Sequence, residues 1–154
     1  MIFLCDAMLG GLAKWLRAAG YDTYYAREGT DIDDRALTEK ALREGRVLLT
    51  GDRGFLERVP VRDGRLKLLL LPHLPVEEQL RAVVERFELT PRPSRCMECN
   101  GKLETVPFEE IADRVPLGVA RQRREFWRCR NCWRVFWHGS HWARISGRLE
   151  RVFS

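Results

Sequence analysis

Two Cys-x-x-Cys pairs, Cys96 with Cys99 and Cys129 with Cys132, stand 29 residues apart in a chain of 154, and no other feature restricts its folding as much. Each pair can present two sulfurs to one ion at tetrahedral angles, so the four thiolates define a closed structural zinc site. A zinc ion with no open position folds the surrounding chain and does no chemistry itself. A redox pair or an iron-sulfur cluster is the competing use of such cysteines. Cys5, alone on an apolar run, reads as a buried small hydrophobe. Thiols kept for metal rather than disulfides suit a reducing compartment, and a cytoplasmic location is expected. The opening MIFLCDAMLGG lacks a basic leader and is interrupted by Asp6, so it does not read as a signal sequence. No apolar run approaches the roughly 20 residues of a membrane span; residues 66–71, with Lys67 among them, suit a buried strand.

Residues 90–94 (TPRPS) carry two prolines and no large apolar side chain, the mark of an extended linker. Two units follow, residues 1–90 and residues 94–154. With 45% hydrophobic and 32% charged residues the chain can bury a core, which excludes a disordered polyelectrolyte. Charge is unevenly shared. Residues 1–90 hold 14 Lys and Arg against 15 Asp and Glu, whereas residues 91–154 hold 13 against 7. A four-thiolate zinc centre would carry −2, and the second unit would still be basic. Four of the five tryptophans (Trp127, Trp133, Trp137, Trp142) lie there, among Arg123, Arg124, Arg128, Arg130 and Arg134. Cations for phosphates and flat rings for bases make a nucleic-acid surface, although a small zinc-stapled core solvated by arginine has the same composition. His138 and His141, in Trp137-His138-Gly139-Ser140-His141-Trp142, are read as polar contacts that reach substrate rather than as replacements for a cysteine.

The first unit alternates. Residues 2–5, 21–26, 46–50 and 66–71 read as strands, with helical segments between them ended by Gly20 and Gly45 and a last helix opened by Pro75. Such β-α alternation predicts a mainly parallel sheet with helices on its faces, and ligand binding beyond the carboxyl ends of the strands. Asp6 follows the first strand and Asp52 the third, so both point to that edge. Asp31, Asp33 and Asp34 precede the second helix. Crowded carboxylates repel unless a cation joins them, and magnesium or manganese, which prefer carboxylate oxygen and keep waters, are the natural occupants. Each acid also has a plain use: Asp33 or Asp34 as a helix cap, Asp52 as a turn residue beside Gly51 and Gly54. No G-x-G-x-x-G follows the first strand and no Walker lysine is present, which argues against a dinucleotide or P-loop fold.

The run from Asp6 to Arg17 (DAMLGGLAKWLR), then Gly20-Tyr21-Asp22-Thr23, Leu48-Leu49-Thr50-Gly51-Asp52-Arg53, Ser94-Arg95-Cys96-Met97-Glu98-Cys99-Asn100 and Trp137-His138-Gly139-Ser140-His141, resembles the mut-seven C-terminal RNase family across nearly the whole chain. That family is similar to PIN-like nucleases joined to a zinc ribbon. The resemblance implies a PIN-like three-layer α/β domain with a mainly parallel sheet, a small C-terminal zinc ribbon, and an acidic, divalent-metal-dependent ribonuclease site. Carried over, Asp6 is the first-strand acid, Asp52 the acid after the Thr-containing strand, and Asp33 or Asp34 the intermediate one. Two departures stand out: Gly51 occupies a position where the pattern leads one to expect a basic residue, and no fourth acid is identifiable.

The reading is a single-strand-preferring endoribonuclease. Asp6, Asp34 and Asp52 hold magnesium or manganese, with Asp33 as the substitute for Asp34. Thr50 orients a carboxylate or a water, and Lys14, Arg17 and Arg53 contact phosphates. The ribbon grips RNA through its arginines and through Trp137, His138, Ser140 and His141. The alternative is a non-catalytic module that binds RNA or a ribonucleoprotein with the same fold.

Overall fold

In the computed structural model, which describes residues 1–30 and 33–154, the apolar run that opens the chain becomes an inner strand of a four-stranded sheet. The order along the chain is β1 (Phe3–Cys5), α1 (Gly10–Ala18), β2 (Thr23–Tyr25), α2 (Asp34–Glu44), β3 (Val47–Thr50), the short α3 (Val59–Arg62), β4 (Leu68–Leu70) and α4 (Val76–Phe87). The strands pair as β2-β1-β3-β4, every pair parallel, as the β-α alternation predicts. Successive side chains of a strand face opposite ways. Phe3 and Cys5 pack with Leu12 and Leu16 of α1 and with Leu80 and Val83 of α4. Leu4 and Leu48 pack on the other face with Leu37 and Ala41 of α2 and with Phe55. Helices thus cover both faces in three layers, which is why the strands read as unbroken apolar runs rather than alternating ones.

The strands are shorter than those runs because backbone groups at the run ends bond elsewhere. The Tyr21 N–H donates to the Leu16 carbonyl at the end of α1, and the Leu66 N–H donates to Pro60 in α3. Both residues stay buried without joining the sheet. Between β3 and β4 the chain forms a 3-10 turn over Arg53–Glu57, followed by α3.

Antiparallel strands β5 (Leu103–Thr105), β6 (Trp127–Cys129) and β7 (Val135–Phe136) form the ribbon, with α5 (Phe108–Ile111) and α6 (Leu117–Gln122) inserted between β5 and β6. Val106, Ile111, Val115 and Phe126 give this unit a core of its own. The final helix, α7 (Ser140–Phe153), returns to the parallel sheet: Val152 is buried in the core under α1 and α4, with Leu149 and Phe153 packed against it. Packing therefore crosses the sequence boundary at the linker. Among the described residues no helix is long and apolar enough to cross a membrane.

The linker itself is pinned. The last carbonyls of a helix lack intrahelical partners. In α1 and just beyond it, Arg17 O accepts from the Arg95 N–H at 2.8 Å, Ala18 O from the Ser94 hydroxyl at 2.5 Å and Ala19 O from the Arg92 N–H at 3.2 Å. Gly20, with φ of +97°, is required here: a Cβ would stand 2.5 Å from Arg92 Cβ.

Candidate active site and metal centre

The chain passes from β1 out to β2 and back across to β3, so the strand order reverses at β1. The crevice outside the carboxyl ends of β1 and β3 is the switch point at which open α/β sheets bind ligands. Asp6 leaves β1 there and Thr50 ends β3. Asp6 is only 5% exposed, and a carboxylate so shielded needs donors. It has two: the Met8 N–H at 3.0 Å and the hydroxyl of the fully buried Thr50. The Thr50 oxygen in turn accepts the Asp52 N–H at 3.0 Å. A single hydroxyl therefore couples the two acids that the sequence places at this edge.

Asp34, the first residue of α2, completes the group. Burial raises its carboxyl above the usual range, and the charge of Asp52 raises it further; Asp6 and Asp33 add to the effect and Arg58 opposes it. Gly54 borders the same space, since a Cβ there would meet Asp52 Oδ1 at 3.1 Å and Asp34 Oδ2 at 3.6 Å. The two candidate acids at the head of α2 are thus separated by geometry. Asp33 is the helix cap, its Oδ1 accepting the Ala36 N–H at 2.9 Å, and Asp34 is the acid that faces its fellows. Asp52 also caps, accepting the Gly54 N–H at 2.8 Å through Oδ1. Asp31 lies outside the described residues.

The cations divide. Arg53 is exposed beside Asp52. Lys14 is half-exposed on α1 and pairs with Glu98 at 3.5 Å. Arg17, expected to contact phosphate, does not reach the surface: at 2% exposed it donates to the Thr23 carbonyl, to Glu28 and to the Met97 carbonyl, which leaves it a structural tie between sheet and ribbon. Two cations that sequence reasoning passed over also stand by the acids. Arg58 is close enough to Asp34 to stabilise its ionised form, and the exposed Arg27 donates from Nε to the carbonyl of Ala7 at 2.9 Å, on the loop that follows Asp6. No motif marks either; only the sheet order brings β2 and the turn after β3 to one edge.

The four cysteine sulfurs all lie within 4.8 Å of one another, with Cys96 to Cys132 at 3.8 Å and Cys99 to Cys129 at 3.4 Å. A zinc tetrahedron with bonds of about 2.3 Å has edges of about 3.8 Å, so the set fits one ion. Burial pushes the Cys96 thiol up to about 12. Burial acts the same way on Cys99, but hydrogen bonds from the Asn131 side chain and the Gly101 N–H, with the neighbouring sulfurs, bring it down to about 6. Gly101 leaves the room this needs: a Cβ there would stand 2.5 Å from Cys129 Sγ and 3.3 Å from Cys99 Sγ. Among the described residues no other group of three or more His, Cys, Asp and Glu side chains is gathered as closely, and Asp6, Asp34 and Asp52 form a looser set. Their hard carboxylate oxygens nonetheless match magnesium or manganese, which take one or two carboxylates and complete their shells with water.

His138 and His141 stand apart from the sulfurs. His138 stacks between Trp127 (centroids 4.3 Å apart) and Trp142 (5.0 Å), while Trp137, Ser140 and His141 line an adjoining cleft. Cys5 is buried in the core, where burial and the charge of Asp6 raise its thiol.

The family model described as Mut7-C RNAse domain matches residues 1–149. A Homo sapiens protein named "Exonuclease mut-7 homolog" is 36% identical over an alignment of 102 residues that covers 63% of this chain and 11% of that protein. The match spans only a small part of that relative's length.

Proposed function

The chain belongs to the Mut7-C RNase domain family, and from that premise we propose that it is a divalent-metal-dependent ribonuclease acting on single-stranded RNA, with its ribbon aiding RNA binding. The family and the exonuclease relative support a nuclease role. The observation that supports the finer reading is the closeness of the three acids at the edge where such sheets bind ligands: one Thr50 hydroxyl bonds both Asp6 and the Asp52 N–H, and Gly54 lies against both Asp52 and Asp34. Asp6, Asp34 and Asp52 would hold one or two magnesium or manganese ions, which when bound supply an activated water and neutralise charge on the scissile phosphate. Thr50 fixes the Asp6 carboxylate against rotation by donating to it from a buried position. Arg53, next to Asp52, and Arg27, bonded to the loop after Asp6, bring positive charge to the acids and so draw in and orient the RNA backbone.

The Asp52 cap and the loose spacing of the acids favour the competing reading of a non-catalytic RNA-binding module. One experiment separates the two. A labelled single-stranded RNA and its circular counterpart are incubated with the full chain and manganese. Cleavage of both, reduced at least 100-fold in Asp6→Asn and Asp52→Asn, is the expected result, and cleavage of the circle marks endonucleolytic attack. Activity that persists undiminished in both variants would refute the assignment. RNA binding by the intact chain that is indifferent to manganese and unaccompanied by cleavage would establish the binding module instead.

A further inference from the structure

Three clefts run in line over the joint between the parallel sheet and the ribbon. The first, about 320 Å³, lies between α1 and α7, with Lys14, Arg144 and Arg148 on its rim. It shares Met97, His141 and Ile145 with the second, about 430 Å³, whose walls include Phe136, Trp137 and Trp142. The second shares Ser94, Leu103 and Trp142 with the third, about 350 Å³, which Arg92, Trp127 and His138 line. Where the last two meet stands the tier Trp127–His138–Trp142, its planes inclined by only 21° and 12°, and His138 is exposed although stacked on both sides.

Charge and shape agree on one occupant. Arg144 and Arg148 are four residues apart on α7, so they share a face; both are exposed, and neither forms an ion pair among the described residues. Glu98, the acid beside the second cleft, is already paired with Lys14. Free cations above one cleft and flat rings along the next two suit a polyanion with detachable aromatic groups rather than an amphipathic helix or a lipid surface. The first cleft begins at Gly11, in the opening turn of α1, and that turn follows directly on the Asp6 loop.

We propose that this line of clefts is the path of the RNA strand beyond the acidic edge, with its phosphates on Arg144 and Arg148 and one unstacked base seated against Trp142 in the cleft between ribbon and α7. The proposal rests on the reading of the chain as a ribonuclease and specifies how it selects its substrate. A cleft of this volume is of the size that takes a ligand as large as a nucleotide. Bases paired in an A-form duplex cannot turn outward onto recessed rings, so the path accepts single strands and rejects duplexes.

The test uses the full chain, zinc retained and no magnesium or manganese added, with a fluorescein-labelled 12-nucleotide single strand followed by anisotropy. Arg144→Glu with Arg148→Glu is expected to weaken binding at least 10-fold and, with two phosphates no longer neutralised, to lower the slope of log K against log salt by about 1.4. On the wild-type chain a strand with abasic sites in its central positions is expected to bind about 10-fold more weakly and to quench less tryptophan fluorescence. Binding by the double variant with unchanged affinity and slope, or equal binding of abasic and normal strands, would overturn the proposal. Cleavage of a trinucleotide with manganese, by the wild-type chain and by the double variant, reads the acidic edge separately from the path. If neither cleaves any RNA while the binding differences hold, the nuclease reading fails and the path stands.

Discussion

Thr50→Val is the substitution that isolates the link between the two acids. Valine keeps the volume and the β-branch of threonine, so the fully buried site loses no packing and only the hydroxyl is removed. Two hydrogen bonds go with it, the one Thr50 donates to Asp6 and the one it accepts from the Asp52 N–H. A bond to a charged group contributes about 1.5–3 kcal/mol and a neutral one about 1 kcal/mol. Water can replace the second, because Asp52 is exposed, but reaches the shielded Asp6 carboxylate poorly. The net loss is about 2–3 kcal/mol, which for a chain of this length lowers Tm by about 4–12 °C. In the manganese cleavage assay kcat should fall at least 10-fold with KM little changed, since the substrate contacts are untouched and only the aim of Asp6 is loosened. Thr50→Ser, which retains the hydroxyl, should recover most of kcat. Equal stability and equal kcat in Thr50→Val and wild type would refute the coupling.

Asp34 gives a pH signature. Its folded-state pKa is raised, so folding disfavours the ionised form: the penalty is absent below the ordinary value near 3.8, sets in as pH rises through the folded value, and is complete above it. Asp34→Asn should therefore melt higher than wild type at pH 7 without divalent ions, with the gap closing toward pH 3, and added manganese should stabilise the wild type alone. A lower melting point for the variant at pH 7 would mean that the favourable α2 dipole outweighs the neighbouring acids and that they do not face one another. Gly101→Ala places a methyl group among the sulfurs and should reduce zinc, measured by elemental analysis, well below one ion per chain; full zinc at an unchanged melting temperature would exclude the four-sulfur site.

Periodicity and punctuation made the first unit legible. The apolar runs, Gly20 and Gly45 marked elements that the structure contains, because a sheet covered on both faces leaves a signal that needs no tertiary knowledge. The cysteine spacing was as informative, since a knuckle is local chemistry. What could not be read is what depends on which strands become neighbours. Arg17 looked like a surface cation on an amphipathic helix, and only the approach of the Met97 carbonyl and Glu28 makes it internal. Asp33 and Asp34 are equivalent as letters; the cap to Ala36 assigns one, and the other turns to Asp52. The role of α7 was hidden for the same reason, because Val152 reaches a core made by residues far earlier in the chain.

The ribbon is therefore not an appendage on a tether. A buried guanidinium is costly unless it is hydrogen-bonded, and the ribbon supplies part of what Arg17 needs: Glu28 takes it from one side, the Thr23 carbonyl from another, and the Met97 carbonyl, between Cys96 and Cys99 of the sulfur cluster, adds a further bond at 3.0 Å. Asn100 adds a second tie, its Oδ1 accepting the Thr23 N–H at 3.0 Å and its Nδ2 donating to Asp22 at 2.7 Å, from a left-handed backbone (φ of +73°) beside Cys99. Both ties end on α1 or β2, the elements that flank β1 and hence Asp6. Ending the chain at residue 90 would strip Arg17 of a partner, uncap α1 and remove Val152 from the core, all within the scaffold that aims the acids. Sulfur cluster and acidic edge lie on different units of sequence but rest on one helix, and whatever loosens the first will be felt by the second through α1.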